Sequence, residues 1–255
     1  MFFCKKYDMI PFKETIDGNA VGGFLFTPKK NPNGRIIIYC HGSFSLAKEN
    51  QVESYSDVVN YVESGFIVFV LKYDKDSVQG MKEATTLLDA KEAYDAARIF
   101  KRRLPKAKIY LVGASRGSWV AQNTMIEYSP MFDGGIYLVG PTNLPTLGEY
   151  FRKNKIFPDV TIGDKIGMDL IWPYFNYKND EVLSSTTTYA TKLNAKPMLL
   201  IYGQQDIVIP QEQGLKLAEL CCLVLGKNFF LVKGGHGLGN TSGTVNLIKT
   251  WILSQ

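Results

Sequence analysis

The sequence predicts an α/β domain with a mostly parallel central sheet and helices on both of its faces. Three observations predict it. Six short runs are apolar or nearly so throughout, as in strands buried on both faces. Stretches of helical period separate several of these runs, the alternation that builds parallel sheets through crossover helices. The chain has 255 residues, 45% of them hydrophobic and 21% charged, enough to bury one large core without disulfides or a structural metal.

The elements follow in chain order. Residues 7–16 and 20–27 read as two strands joined near Asp17-Gly18, a turn signal, and are expected to add antiparallel strands at one edge of the sheet. "KKNPNG" (29–34) is a loop and "RIIIYC" (35–40) the first buried strand. Residues 50–63 alternate with helical period, and "FIVFVL" (66–71) is the second buried strand. A long amphipathic helix is expected over 81–104, ending at Pro105. "KIYLVG" (108–113) is the third buried strand and 116–128 a helix. "GIYLVG" (135–140), "PMLLIYG" (197–203) and "NFFLVK" (228–233) are the remaining strands, with helices at 211–225 and 242–253. Residues 141–190 break the rhythm. They are rich in Pro, Tyr, Phe, Thr and Asn, and an insertion of this length in a compact α/β domain is more often a functional lid than slack loop. No boundary divides the chain into independent units, so residues 1–255 are expected to form one domain with 141–190 as a lid.

Composition excludes several functions. The formal charge is +5, and the densest basic cluster, Lys101-Arg102-Arg103 with Lys106 and Lys108, falls where the long helix should end. Cations there complement the helix dipole, so no nucleic-acid partner is expected. No apolar run reaches the ~18 residues of a membrane span. The start, "MFFCKKYDMI", does not read as a secretory signal, because its apolar stretch is short and its lysines follow that stretch. Cys4, Cys40, Cys221 and Cys222 lack the spacing of a zinc site, and Cys221-Cys222 lie in a helix pattern. Reduced, mostly buried thiols are expected, which favours a cytoplasmic protein. The sequence does not reveal the oligomeric state.

Ligands of open parallel sheets bind beyond the carboxyl ends of the strands. The residues just after each strand are therefore the ones to read. They are His41-Gly42-Ser43-Phe44, Gly113-Ala114-Ser115-Arg116-Gly117, Gly203-Gln204-Gln205-Asp206 and Gly234-Gly235-His236-Gly237. A serine, an acid and a histidine fall on one rim. A serine hydroxyl needs a base and exposure to act as a nucleophile. G-x-S-x-G alone is a weak pattern, but between a buried strand and a helix it is a strong one. The sharp turn exposes Ser115, and glycines at 113 and 117 remove the side chains that would collide. The chain has two histidines, and His236 is the candidate base while His41 is expected to shape the oxyanion loop. Asp206 is the candidate acid; Asp133 precedes its strand and so lies at the wrong end. The oxyanion donors are expected from the N–H of Arg116 and of Ser43, with Phe44 as the alternative to Ser43. The Arg116 side chain is expected to pair internally rather than to bind a substrate carboxylate.

The segments "IIIYCHGSF", "LVGASRGS", "LIYGQQDIVIP" and "GGHG" make the chain resemble the α/β-hydrolase superfamily over roughly 20–140 and 195–255. The resemblance implies Ser115 as nucleophile, Asp206 as acid, His236 as base, and Ser43 and Arg116 as oxyanion amides. The general look is that of small esterases and of the catalytic domain of prolyl-oligopeptidase-like peptidases. One departure stands at Ser118, where many members carry a second glycine. The expected reaction is hydrolysis of carboxylic esters of small apolar or aromatic substrates through an acyl-enzyme, with no cofactor and no metal. Phe44, Trp172 and Phe175 are the candidate substrate contacts. Alternatives are a peptidase or amidase on short peptides, a thioesterase or acyltransferase, and a non-catalytic ligand-binding protein of this fold.

Overall fold

The structure, a computed structural model, describes residues 6–42, 55–72, 83–154, 161–162, 165–166 and 185–255. Its elements follow the apolar runs. Strands are β1 (Tyr7–Ile16), β2 (Asn19–Pro28), β3 (Arg35–Cys40), β4 (Ile67–Leu71), β5 (Lys108–Ala114), β6 (Gly134–Leu138), a short pair β7 (Thr161–Ile162) and β8 (Lys165–Ile166), β9 (Met198–Gly203) and β10 (Phe229–Val232). Helices are α1 (Ser56–Glu63), α2 (Glu83–Arg103), α3 (Arg116–Tyr128), α4 (Leu144–Asn154), α5 (Ala190–Leu193), α6 (Gln211–Leu220) and α7 (Ser242–Ser254).

One eight-stranded sheet runs in the order β1-β2-β4-β3-β5-β6-β9-β10. The hairpin β1–β2 is antiparallel and sits at one edge, and β2 also pairs antiparallel with β4. The pairings β4–β3–β5–β6–β9–β10 are parallel. Alternate residues of each strand enter opposite layers. Ile36 and Ile38 of β3 join Leu111, Leu200, Ala96 and Phe100 of α2, Val120 of α3 and Leu217 of α6. Ile37 of the same strand joins Val112, Ile136, Ile201, Val58 of α1, and Val245 and Ile248 of α7. Both faces of the sheet are therefore apolar, which is why its strands read as continuous apolar runs. The hairpin is held to α2 by Arg98 on Asp17 (2.6 Å), Arg103 on Glu14 (2.6 Å) and the Gly22 N–H donating to Glu92 Oε1 (2.9 Å). Among the described residues no helix is long and apolar enough to cross a membrane.

Two elements end two or more residues earlier than expected, each for a local reason. The strand expected over 135–140 ends at Leu138 because Val139 turns to φ 41°, a left-handed value that a β-branched residue seldom adopts. The helix expected over 211–225 ends at Leu220. Cys222 has φ 52°, its N–H donates to Glu219 O (3.1 Å), and Leu223 N–H donates back to Ala218 O (2.8 Å). This is the pair of bonds that closes a helix through a left-handed residue. An apolar pattern carries no signal for such a stop when the residue is cysteine rather than glycine. The stop leaves Cys221 buried and Cys222 exposed; Cys40, at the end of β3, is also buried.

Candidate active site

Ser115 stands between β5 and α3 with φ 53° and ψ −123°. That conformation costs a non-glycine residue on the order of 1–3 kcal/mol and persists only where the surroundings over-determine it. Here they do. Ser115 N–H donates to Leu138 O (2.9 Å), and its carbonyl accepts from Ser118 N–H (3.0 Å) and Trp119 N–H (3.4 Å). The flanking glycines leave no alternative. A Cβ on Gly113 would lie 2.3 Å from Gly117 O, and one on Gly117 would lie 1.9 Å from Cys40 O. The turn is thus pressed against the end of β3 at backbone distance.

Asp206 and His236 come from the ends of adjacent parallel strands, β9 and β10. Backbone bonds lace their loops together: Gln204 N–H donates to Val232 O (2.9 Å) and Gln205 N–H to Gly234 O (3.0 Å). His236 Nδ1 lies 2.9 Å from Asp206 Oδ2, and His236 Nε2 lies 2.9 Å from Ser115 Oγ. A carboxylate only accepts, so Nδ1 carries the proton and Nε2 offers its lone pair to the serine hydroxyl. The other carboxylate oxygen, Asp206 Oδ1, accepts from Val208 N–H (2.8 Å) and Ile209 N–H (2.9 Å). Asp206 therefore caps its own turn and faces the histidine at once. Asp133 lies at the opposite end of the strands, with Oδ2 accepting from Ile109 N–H (2.8 Å) at the start of β5.

Arg116 is the first residue of α3, where N–H groups lie outside the intrahelical ladder. Its buried guanidinium bonds to the buried carboxylate of Asp89 on α2, the internal pairing that the sequence suggests. His41 lies beside this pair. Burial, with a smaller contribution from the charge of Arg116, pushes His41 down to about 4, so its ring is neutral at physiological pH. Its Nδ1 is 2.9 Å from Gly42 O, so Nδ1 bears the hydrogen and donates it. Ser43, Phe44, Trp172 and Phe175 lie outside the described residues.

The depressed His41 has a stability consequence. The unfolded histidine binds a proton near its ordinary 6.5, and the folded one only near 4. Stability is thus fully present above pH 6.5 and falls as pH drops toward 4. Urea unfolding should show His41→Gln losing on the order of 2–3 kcal/mol less than the parent over that interval. Parallel pH profiles would contradict this.

The departure at Ser118 has a visible accommodation, for which the sequence held one cue, the glycine that closes the fourth apolar run. A Cβ on Gly140 would lie 2.1 Å from Ser118 Oγ and 2.3 Å from Ser118 Cβ. Gly140→Ala should therefore destabilise the fold by about 1–3 kcal/mol through overpacking. Thermal melts should recover about half of that loss when Ser118→Gly is added, as coupling between touching residues requires. Equal losses in both backgrounds would exclude the contact as the cause.

No family model matches the chain, and no curated protein matches it. Solved structures do. An acylaminoacyl peptidase of Pyrococcus horikoshii superposes with a TM-score of 0.67 at 20% identity, over 98% of this chain and 41% of that one. An esterase of Pyrococcus furiosus superposes with a TM-score of 0.68 at 18% identity, over 97% of this chain and 93% of that one. Est1E of Butyrivibrio proteoclasticus gives 0.64 at 16% identity, over 96% and 98%. The chain has the α/β-hydrolase fold. It spans 41% of the length of the peptidase and nearly all of the esterase and of Est1E.

Proposed function

We propose that this chain is a serine hydrolase of carboxylic esters. The observation that carries the reading is the Asp206–His236–Ser115 relay, with both bonds at 2.9 Å and the tautomer fixed by the carboxylate. Ser115 Oγ attacks the ester carbonyl carbon while His236 Nε2 takes its proton. A C–O bond forms and the carbonyl electron pair moves to oxygen. The N–H groups of Arg116 and Ser43 stabilise that oxyanion. The pair then returns, the bond to the alkoxide breaks, and His236 gives its proton to the departing oxygen. Water, deprotonated by His236, repeats the sequence on the acyl-serine and releases the acid. The Asp206 carboxylate offsets the charge of the imidazolium. The segment 141–190 acts as a lid, with Phe44, Trp172 and Phe175 against small apolar or aromatic groups of the substrate.

The likeness to an esterase over nearly its whole length supports the ester reading. The likeness to an acylaminoacyl peptidase favours one second reading, cleavage of short peptides. A panel of p-nitrophenyl esters beside aminoacyl and acylaminoacyl p-nitroanilides separates them. Esterase action predicts kcat/KM on the esters at least about 100-fold above that on the anilides, the anilide leaving group being the poorer one. Comparable or faster anilide cleavage would favour the peptidase. Turnover of neither, together with thermal stabilisation by a ligand, would support a binding protein.

A further inference from the structure

The segment between β6 and β9 leaves the sheet beside the nucleophile, and both of its stems are described. The outgoing stem, Val139 to Asn143, starts where Leu138 O accepts the Ser115 N–H. The returning stem is Ser185 to Thr187. The two stems pair with each other. Asn143 and Ser185 form an antiparallel bridge, Asn143 Nδ2 donates to Ser185 Oγ (3.1 Å), and Thr187 N–H donates to Thr142 O (3.3 Å).

Two buried glutamines join these stems to catalytic elements. Gln122 projects from α3, the helix that begins at the nucleophile. Its Nε2 donates to Ser118 Oγ (3.1 Å) and to Pro141 O of the outgoing stem (3.1 Å). Its Oε1 accepts from Thr186 Oγ1 of the returning stem (2.5 Å). Gln213 projects from α6, which follows the Asp206 turn. Its Oε1 accepts from Thr142 N–H (2.9 Å) and Asn143 N–H (2.8 Å), and its Nε2 donates to Thr146 Oγ1 (2.9 Å). Its backbone carbonyl accepts from Thr142 Oγ1 (2.8 Å). A third tie runs from α4: Tyr150 Oη donates to Ile207 O, one residue beyond the acid (3.1 Å). Gln122, Thr142, Ser185, Thr186 and Gln213 are all buried. Buried polar groups rigidify what they connect when satisfied and are costly when they are not.

We infer that Gln122 and Gln213 are positioning residues that clamp the two stems to the nucleophile helix and to the acid turn, and that this clamp sets the affinity for the part of a substrate beyond its reacting carbonyl. The inference rests on the proposed serine-hydrolase reading. Neither glutamine bonds to Ser115, His236 or Asp206, so the clamp acts on where substrate sits and not on proton transfer. Ser118 is part of it: the hydroxyl that replaces the usual glycine is what Gln122 grips.

The test compares kcat and KM on p-nitrophenyl acetate and on p-nitrophenyl phenylacetate, which share a leaving group and differ in acyl size. Gln213→Met and Gln122→Met preserve side-chain length and remove every side-chain bond. Each should raise KM for the phenylacetate about tenfold, an effect typical of losing buried hydrogen bonds. KM for the acetate should change less than about twofold, with kcat within about threefold for both esters. Gln213→Glu keeps an oxygen for the Thr142 and Asn143 N–H groups and should restore most of the phenylacetate KM. Equal KM changes for the two esters, or a lowered melting temperature with unchanged KM, would overturn the clamp. Labelling of Ser115 by a small fluorophosphonate keeps the failures apart. An unlabelled parent protein sinks the hydrolase reading itself, whereas labelled variants with no split between the esters sink only the clamp.

Discussion

Replacing Ser115 with alanine should lower kcat on p-nitrophenyl esters by on the order of 10⁵–10⁶-fold, with the fold intact. The size of the effect follows from the proposed reaction, which splits into two steps through an acyl-serine. Without Oγ there is no covalent intermediate, and His236 is left to activate water in a site built around a different nucleophile. Stability should move little. The backbone bonds of Ser115 to Leu138, Ser118 and Trp119 do not involve its side chain, and alanine suffers the same left-handed φ of 53° that serine does. Steady-state kinetics with a circular dichroism melt on the same preparation checks both halves. A variant that keeps more than about a hundredth of the parent kcat would remove Ser115 from the chemistry.

Asp206→Asn should cost about 10⁴-fold in kcat, and the structure says how. Oδ1 of Asp206 accepts from Val208 and Ile209 N–H, which an amide oxygen can continue to do. Those two bonds fix the orientation of the asparagine amide, with its oxygen toward the backbone and its NH₂ toward His236 Nδ1. Nδ1 must then accept, so the ring proton moves to Nε2, the nitrogen that lies 2.9 Å from Ser115 Oγ. Nε2 can no longer take the serine proton. The side chain keeps its volume and its turn-capping bonds, so the melting temperature should stay close to that of the parent. Measured kcat on a p-nitrophenyl ester decides the matter. A loss of less than about tenfold would mean that Asp206 does not set the tautomer.

These losses concern residues that the sequence places on one rim, and the reason they were legible is physical. Strands buried on both faces are apolar almost throughout, so the carboxyl ends of β3, β5 and β9 are marked by the first histidine or glycine that closes or follows the run. Gly113 and Gly117 are required at backbone contact distances, so the elbow left a signature that becomes readable where the spacing falls between a buried strand and a helix. Helix α2 was legible from its period and from Pro105. What was not legible depends on contacts between distant residues. Nothing local in Gln122 or Gln213 distinguishes them from surface glutamines; only the packing of α3 and α6 against the two stems gives them a role. Asp89 is likewise a helix-face carboxylate until α2 packs on α3 and sets it against Arg116. Val139 and Cys222 mislead for a different reason. Their left-handed backbones are imposed by what surrounds them, and neither residue type announces such a turn.

We propose that Ser115 is a nucleophile activated by His236. The most direct measurement is reaction with a fluorophosphonate, followed by intact mass and peptide mapping. One adduct is expected, on Ser115, absent in Ser115→Ala and formed far more slowly in His236→Ala. No adduct on the parent protein, or an adduct on a residue other than Ser115, would contradict it.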